Sequence, residues 1–120
     1  MKSQIKSLRP FIGAKNFEES RNFYQDLGFQ ETVLAHNLSV FKLHDLAFYL
    51  QDAYVKDWVD NTMIFLEVDD VDDYWKQLQK LDLMSKYADV KLVPVKSYDW
   101  GNECFIHDPS GILWHIGTFN

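Results

Sequence analysis

The chain has 120 residues, enough for one packed core but too few for a separate cofactor domain. Apolar residues make up 47% and aromatic residues 16%, which excludes disorder, and no apolar run nears the ~20 residues that a bilayer requires. The net charge is −6 with the lysines scattered, so nucleic acid is not an expected partner, and a single cysteine forms no internal disulfide.

The opening Met-Lys-Ser-Gln-Ile has no apolar signal core, which gives the expectation of a cytoplasmic protein. Ile5 to Ala14 is mostly apolar and predicts a strand; Asn16 with Glu19 three residues on predicts a capped helix start. Phe17, Ser20, Tyr24 and Leu27 follow helical spacing, and Gly28 stands where a helix ends, giving a helix over 17–27. Phe29 to Ala35, Ser39 to Leu43 and Leu46 to Gln51 are short β-branched or aromatic runs separated by His36-Asn37 and His44-Asp45, a meander of three strands. Residues 53–61 predict a short linking helix or turn.

The second half repeats this order. Thr62 to Val68 predicts a strand, Asp70 a cap, and Val71, Tyr74, Trp75, Leu78 and Leu81 a helix over 71–81. A polar turn near Ser85 precedes strands at Lys91 to Ser97, Glu103 to His107 and Ile112 to Thr118. The predicted architecture is therefore α+β: a single domain of two βαβββ modules, about 1–52 and 62–120, with a linker at 53–61. Superposing Asn16 on Asp70 aligns Arg9 with Met63 and Phe11 with Phe65.

The last two strands flank Asp108-Pro109-Ser110-Gly111, which suits a tight reversal. Alternation sends Leu113, His115 and Gly117 to one face and Ile112, Trp114 and Ile116 to the other. This hairpin resembles the closing hairpin of the vicinal oxygen chelate superfamily of glyoxalase I, extradiol dioxygenases and bleomycin-resistance proteins. The run Arg9 to Phe29, with Ser20-Arg21-Asn22-Phe23-Tyr24 and Leu27-Gly28-Phe29, is similar to that family's opening. Glu67 to Asp72 is similar to the start of its second module.

The resemblance implies open cup-shaped mixed sheets with helices outside, and usually a homodimer with the cups at or near the interface. It also implies four inward positions that hold a metal in metal-using relatives; here they are Arg9, Tyr49, Met63 and His115. An arginine repels a cation and the Met63 thioether is too soft for zinc, nickel, iron or manganese, so no such metal and no cofactor is expected. Bleomycin-resistance-like members carry a histidine at the His115 position without metal. His115 reads either as a strand histidine satisfied by a neighbour or as a ligand contact. Parity adds Phe11, Phe65, Phe105 and Leu113 to the inward face, and Glu67 points with Met63, giving an Arg9–Glu67 pair as a structural or functional option. Trp100 resembles a rim position beside the ligand cavity, or packs ordinarily. His36 and His44 read as solvated turn residues, and Cys104 as a buried inert thiol. No Gly-rich phosphate loop, Gly-x-Ser-x-Gly or His-Glu-x-x-His occurs, so no catalytic residue is assigned. The function expected is sequestration of a small, bulky, partly aromatic molecule, as in antibiotic resistance. The alternative is a metal-dependent lyase, isomerase or extradiol dioxygenase with non-standard ligands such as His107 or Glu67.

Overall fold

The computed structural model describes residues 3–120. Eight strands form two four-stranded mixed sheets. The first contains β1 (Phe11–Gly13), β2 (Gln30–Ala35), β3 (Leu38–Leu43) and β4 (Leu46–Gln51) in the order β1-β4-β3-β2. The second contains β5 (Met63–Glu67), β6 (Lys91–Tyr98), β7 (Gly101–His107) and β8 (Leu113–Phe119) in the order β5-β8-β7-β6. In each sheet the first strand runs parallel to the last, and the other pairings are antiparallel. Each first strand is followed by a ten-residue helix, α1 (Phe17–Asp26) or α3 (Val71–Lys80), which gives β-α-β-β-β twice. In the chain, α2 (Lys56–Asp60) links the last strand of the first sheet to the first strand of the second.

The helices begin where their caps place them. The side chains of Asn16 and Asp70 accept from the backbone N–H of Glu19 and Asp73, each at 3.1 Å, satisfying one otherwise orphaned donor per helix. Two expectations are corrected. The first strand does not run from Ile5; its ladder covers only residues 11–13, because Pro10 has no N–H to extend it. The supposed polar turn near Ser85 contains a one-turn helix, α4 (Leu83–Lys86), held by the fully buried Leu83.

One apolar core spans both halves, joining Ile12, Phe41, Phe48 and Leu50 of the first sheet to Cys104, Ile106, Trp114 and Ile116 of the second. The strongest polar tie between the halves is also buried. Asp108 Oδ1 accepts from the backbone N–H groups of Ser110, Gly111 and Ile112 at 2.8–2.9 Å, and Oδ2 accepts from the Tyr24 hydroxyl of α1 at 2.6 Å. Tyr24 in turn accepts from Trp114 Nε1 at 2.9 Å. Burial raises the Asp108 carboxyl above its ordinary range, and burial with the nearby carboxylate raises the Tyr24 phenol well above its own.

A second network ties α1 to its own sheet. Glu31 on β2 accepts from Arg21 Nε and Ser39 Oγ, both at 2.6 Å. Burial pushes the Glu31 carboxyl up, but the donors Arg21, Ser39 and Gln25 outweigh it and leave the pKa below its ordinary 4.5.

Asp108→Ala orphans three backbone donors and the Tyr24 hydroxyl; urea unfolding should show a loss of at least about 3 kcal/mol, with Tyr24→Phe costing about 1–2 kcal/mol. Asp60→Ala removes only the exposed ion pair with Lys56 and should cost under about 1 kcal/mol. The depressed Glu31 pKa fixes a second outcome. Its stabilisation is complete above the unfolded value of 4.5 and is lost as pH falls through the lower folded value. The stability difference between wild type and Arg21→Ala should therefore shrink as unfolding is measured from pH 7 down to pH 3.

Candidate functional site

The residues that alternate with the core positions of β5, β7 and β8 share the face turned away from the core. Register pairs Met63 with Leu113, Phe65 with His115, Glu67 with Gly117, Phe105 with His115 and Glu103 with Gly117. His115 is the centre of this face. Its Nδ1 lies 2.5 Å from Glu103 Oε1, and its Nε2 lies 3.4 Å from Met63 Sδ. Phe105 meets the imidazole edge-on with centroids 5.0 Å apart, and Phe65 lies nearly parallel to it at 6.4 Å. Glu103 is only 6% exposed, so its carboxylate is oriented toward the imidazole rather than dissolved in water.

Beyond Phe65 an aromatic wall continues outward. Trp100 packs on Phe65 at 6.0 Å, on Phe119 at 5.2 Å and face to face on Tyr98 at 5.6 Å with planes 4° apart. Gly117 makes this possible: a Cβ there would lie 2.8 Å from Phe65 Cζ and 3.3 Å from the Trp100 ring. Trp100 remains 37% exposed and Phe65 44%, so ring faces are left for a partner.

On the first sheet Phe11 stacks on Tyr49 at 4.5 Å, and Arg9 Nη1 donates to the Tyr49 hydroxyl at 3.4 Å, with the guanidinium 5.8 Å from that ring's centre. Arg9 Nε is buried without a partner. The Arg9–Glu67 pair is not formed: Arg9 turns to Tyr49, and Glu67 is exposed at the end of β5. The candidate residues thus fall into two groups, Arg9, Phe11 and Tyr49 on one sheet and Met63, Phe65, Glu67, Phe105, Leu113 and His115 on the other, with Trp100 at the rim of the second. Arg9 and Phe65 meet along a cavity of about 220 Å³ between the sheets, lined also by Phe48 and Trp114. That is below the ~300–1,000 Å³ of an ordinary ligand pocket, so a bulky molecule is not enclosed there.

Glu103, Tyr98 and Phe119 escaped the sequence reading, and Gly117 was placed on this face without its role in the wall. Glu103 was within reach: counting back from the Asp108 reversal sets Phe105 opposite His115 and leaves Glu103 as its diagonal neighbour on the same face. Cys104 lies behind the sheet, where burial pushes its thiol up to about 11 and keeps it unreactive.

The donors do not fit a divalent metal. Arg9 is cationic and bonded to Tyr49, Met63 is a thioether, and among the described residues no three His, Cys, Asp or Glu side chains converge.

A profile of the Glyoxalase/Bleomycin resistance protein/Dioxygenase superfamily matches residues 6–116. The chain belongs to that superfamily. No curated protein sequence matches it. Among solved structures, the bleomycin-binding protein from bleomycin-producing Streptomyces verticillus, complexed with copper(II)-bleomycin, aligns with a TM-score of 0.78 at 20% identity, over 98% of this chain and 100% of that one. TnmS3, an antibiotic-binding protein from a Streptomyces species, gives 0.74 at 19% identity over 98% and 99%. Lactoylglutathione lyase from Agrobacterium tumefaciens gives 0.69 at 14% identity over 96% and 95%. At these identities the likeness is one of fold.

Gly117→Ala tests the wall directly. The added methyl forces Phe65 or Trp100 aside, so near-ultraviolet circular dichroism should change while far-ultraviolet spectra stay the same, with a stability loss of about 1–3 kcal/mol.

Proposed function

We propose that the chain is a small-molecule binding protein that holds a bulky, partly aromatic ligand against the outer face of the second sheet, as a homodimer and without a divalent metal. The observation that carries this reading is the exposed run of rings from Tyr98 through Trp100 and Phe119 to Phe65, ending on the His115–Glu103 pair. Rings give stacking area, and the pair gives orientation; this is the make-up of a binding surface. Arg9, Phe11 and Tyr49 offer a second, smaller patch of the same kind on the first sheet. The antibiotic-binding proteins of this fold support the choice of ligand class, and antibiotic sequestration is the role we infer.

What one chain leaves uncovered supports the homodimer. Phe11 is 55% exposed, Met63 64% and Trp58 74%, and the cavity between the sheets is too small to enclose the ligand. A second copy laid over these faces would bury them and close the cup. We take the chain as one domain of two modules because a single core spans both. No helix among the described residues is long and apolar enough to cross a membrane, and we place the protein in the cytoplasm.

A second reading has one observation behind it. A carboxylate-oriented imidazole facing open space is the arrangement of a general base, and it is all the catalytic machinery an enzyme here would have.

A thermal-shift screen of charged aromatic compounds, glycopeptide antibiotics included, tests the binding reading. A ligand at ~100 times its Kd should add roughly 2.7 kcal/mol to native stability. Trp100→Ala and His115→Ala should each weaken a hit by tenfold or more; hits that ignore both substitutions place the ligand elsewhere. Sedimentation at micromolar concentration should show a dimer, and a monomer would contradict the closed cup.

A further inference from the structure

Arg9 has an unused edge. Its Nη1 donates to the Tyr49 hydroxyl at 3.4 Å, but neither Nε nor Nη2 has an acceptor among the described residues, and Arg9 joins none of their ion pairs. The Nε donor is also shut off from water, and a buried donor without a partner bears its desolvation cost in full. On a planar guanidinium the N–H of Nε and one N–H of Nη2 run parallel along the same side. That side is the fork a carboxylate fills with both oxygens.

Arg9 borders the cavity of about 220 Å³ between the sheets, whose buried lining is aromatic. Phe29, Phe48 and Trp114 supply it, packed on one another with centroids 5.2–6.1 Å apart, so the rings are held in place before anything binds. The two other charged residues of the lining, Lys6 and Asp45, are exposed and opposite in sign, which leaves Arg9 as the uncompensated charge. We propose that this cavity binds a small monocarboxylate with a short aliphatic body, its oxygens on Nε and Nη2 of Arg9 and its chain against the three rings.

Size and charge select this class. The cavity is too small for the bulky ligand of the outer wall but has room for a short chain, and burying that chain against rings is what favours it over a bare anion. One carboxylate matches one guanidinium, whereas a phosphate dianion brings a second charge to a chain whose net charge is already −6. Entry is open. The stretch from Lys6 to Leu8, which forms one wall, is exposed, lies outside every helix and strand, and has no backbone hydrogen bond among the described residues, so it yields to admit an oxygen beside Nε. The site goes beyond the binding reading of the outer face, which it touches only at Phe65.

The test titrates the purified protein with hexanoate and follows it by nuclear magnetic resonance. The Arg9 Nε–H signal and the Ile64 and Leu66 methyl signals should move together and saturate at one equivalent, as the cavity places all three on its lining. Hexanamide, the uncharged isostere, should bind at least tenfold more weakly, and acetate, which keeps the charge and loses the chain, should also bind more weakly. Arg9→Gln should weaken hexanoate about 10–100-fold, the worth of hydrogen bonds to a charged group. Arg9→Lys, which keeps the charge but not the fork, should also weaken it. Ala47→Leu narrows the cavity without touching Arg9 and should weaken hexanoate more than acetate. Any of four results overturns the proposal: no saturable shift, hexanamide or acetate binding as tightly as hexanoate, inorganic phosphate binding more tightly than hexanoate, or a constant indifferent to Arg9→Gln. The reading of the outer wall stands or falls separately, on aromatic hits and Trp100→Ala.

Discussion

A buried carboxylate organises the molecule. Asp108 sits at the reversal between β7 and β8 with one oxygen taken by three backbone N–H groups and the other by a phenol from the opposite half of the chain. In water such a group is worth little. Inside the core, where an unpaired charge would be very costly, its bonds have to be made together or not at all. The carboxylate therefore fixes a turn and a docking geometry at once. Gly111, at φ +108°, takes the backbone conformation the turn requires, while Tyr24 and Trp114 carry the network into α1 and the back of β8.

The site follows from that constraint. Once the reversal is fixed, the β7–β8 register is fixed, and strand alternation leaves no freedom: Trp114 and Ile116 turn to the core, while Leu113, His115 and Gly117 turn to the face away from it. A one-residue slip would bury the imidazole and expose the tryptophan that Tyr24 holds. The outward face then inherits Glu103 beside His115, Met63 on the adjoining strand and the ring wall closed over Gly117. The structural carboxylate and the functional one lie on the same hairpin and serve opposite faces of the sheet.

Much of this was legible in the sequence because local chemistry and tertiary packing agree. Asn16 and Asp70 cap their helices as their side chains dictate, and β4 occupies the Leu46–Gln51 run that its apolar and aromatic residues mark. The placement of Phe65, Phe105 and Leu113 on one face with Met63 and His115 came from parity, counted from positions that the family resemblance supplied. What was not legible depends on pairing across distance. Glu103 becomes the partner of His115 only once two strands are in register, and the Arg9–Glu67 option is not realised because the guanidinium bonds to Tyr49 on β4. The first strand read too long because apolar character alone does not show that Pro10 interrupts a ladder, and α4 read as a turn because one buried leucine among polar neighbours has no period. The aromatic wall needed three separate segments to meet, which no window of sequence contains.

The four tryptophans distinguish the possible binding surfaces in one spectrum. Trp100 lies on the outer wall and Trp58 on α2. Trp114 borders the cavity between the sheets, and Trp75 borders a groove against α4. In a nitrogen-15 correlation spectrum each indole N–H gives its own signal. Titration with an aromatic ligand found by thermal shift should move the Trp100 signal, while those of Trp75 and Trp114 stay in place. A ligand that moves Trp114 and leaves Trp100 unchanged would put binding between the sheets and contradict the outer face as the functional surface.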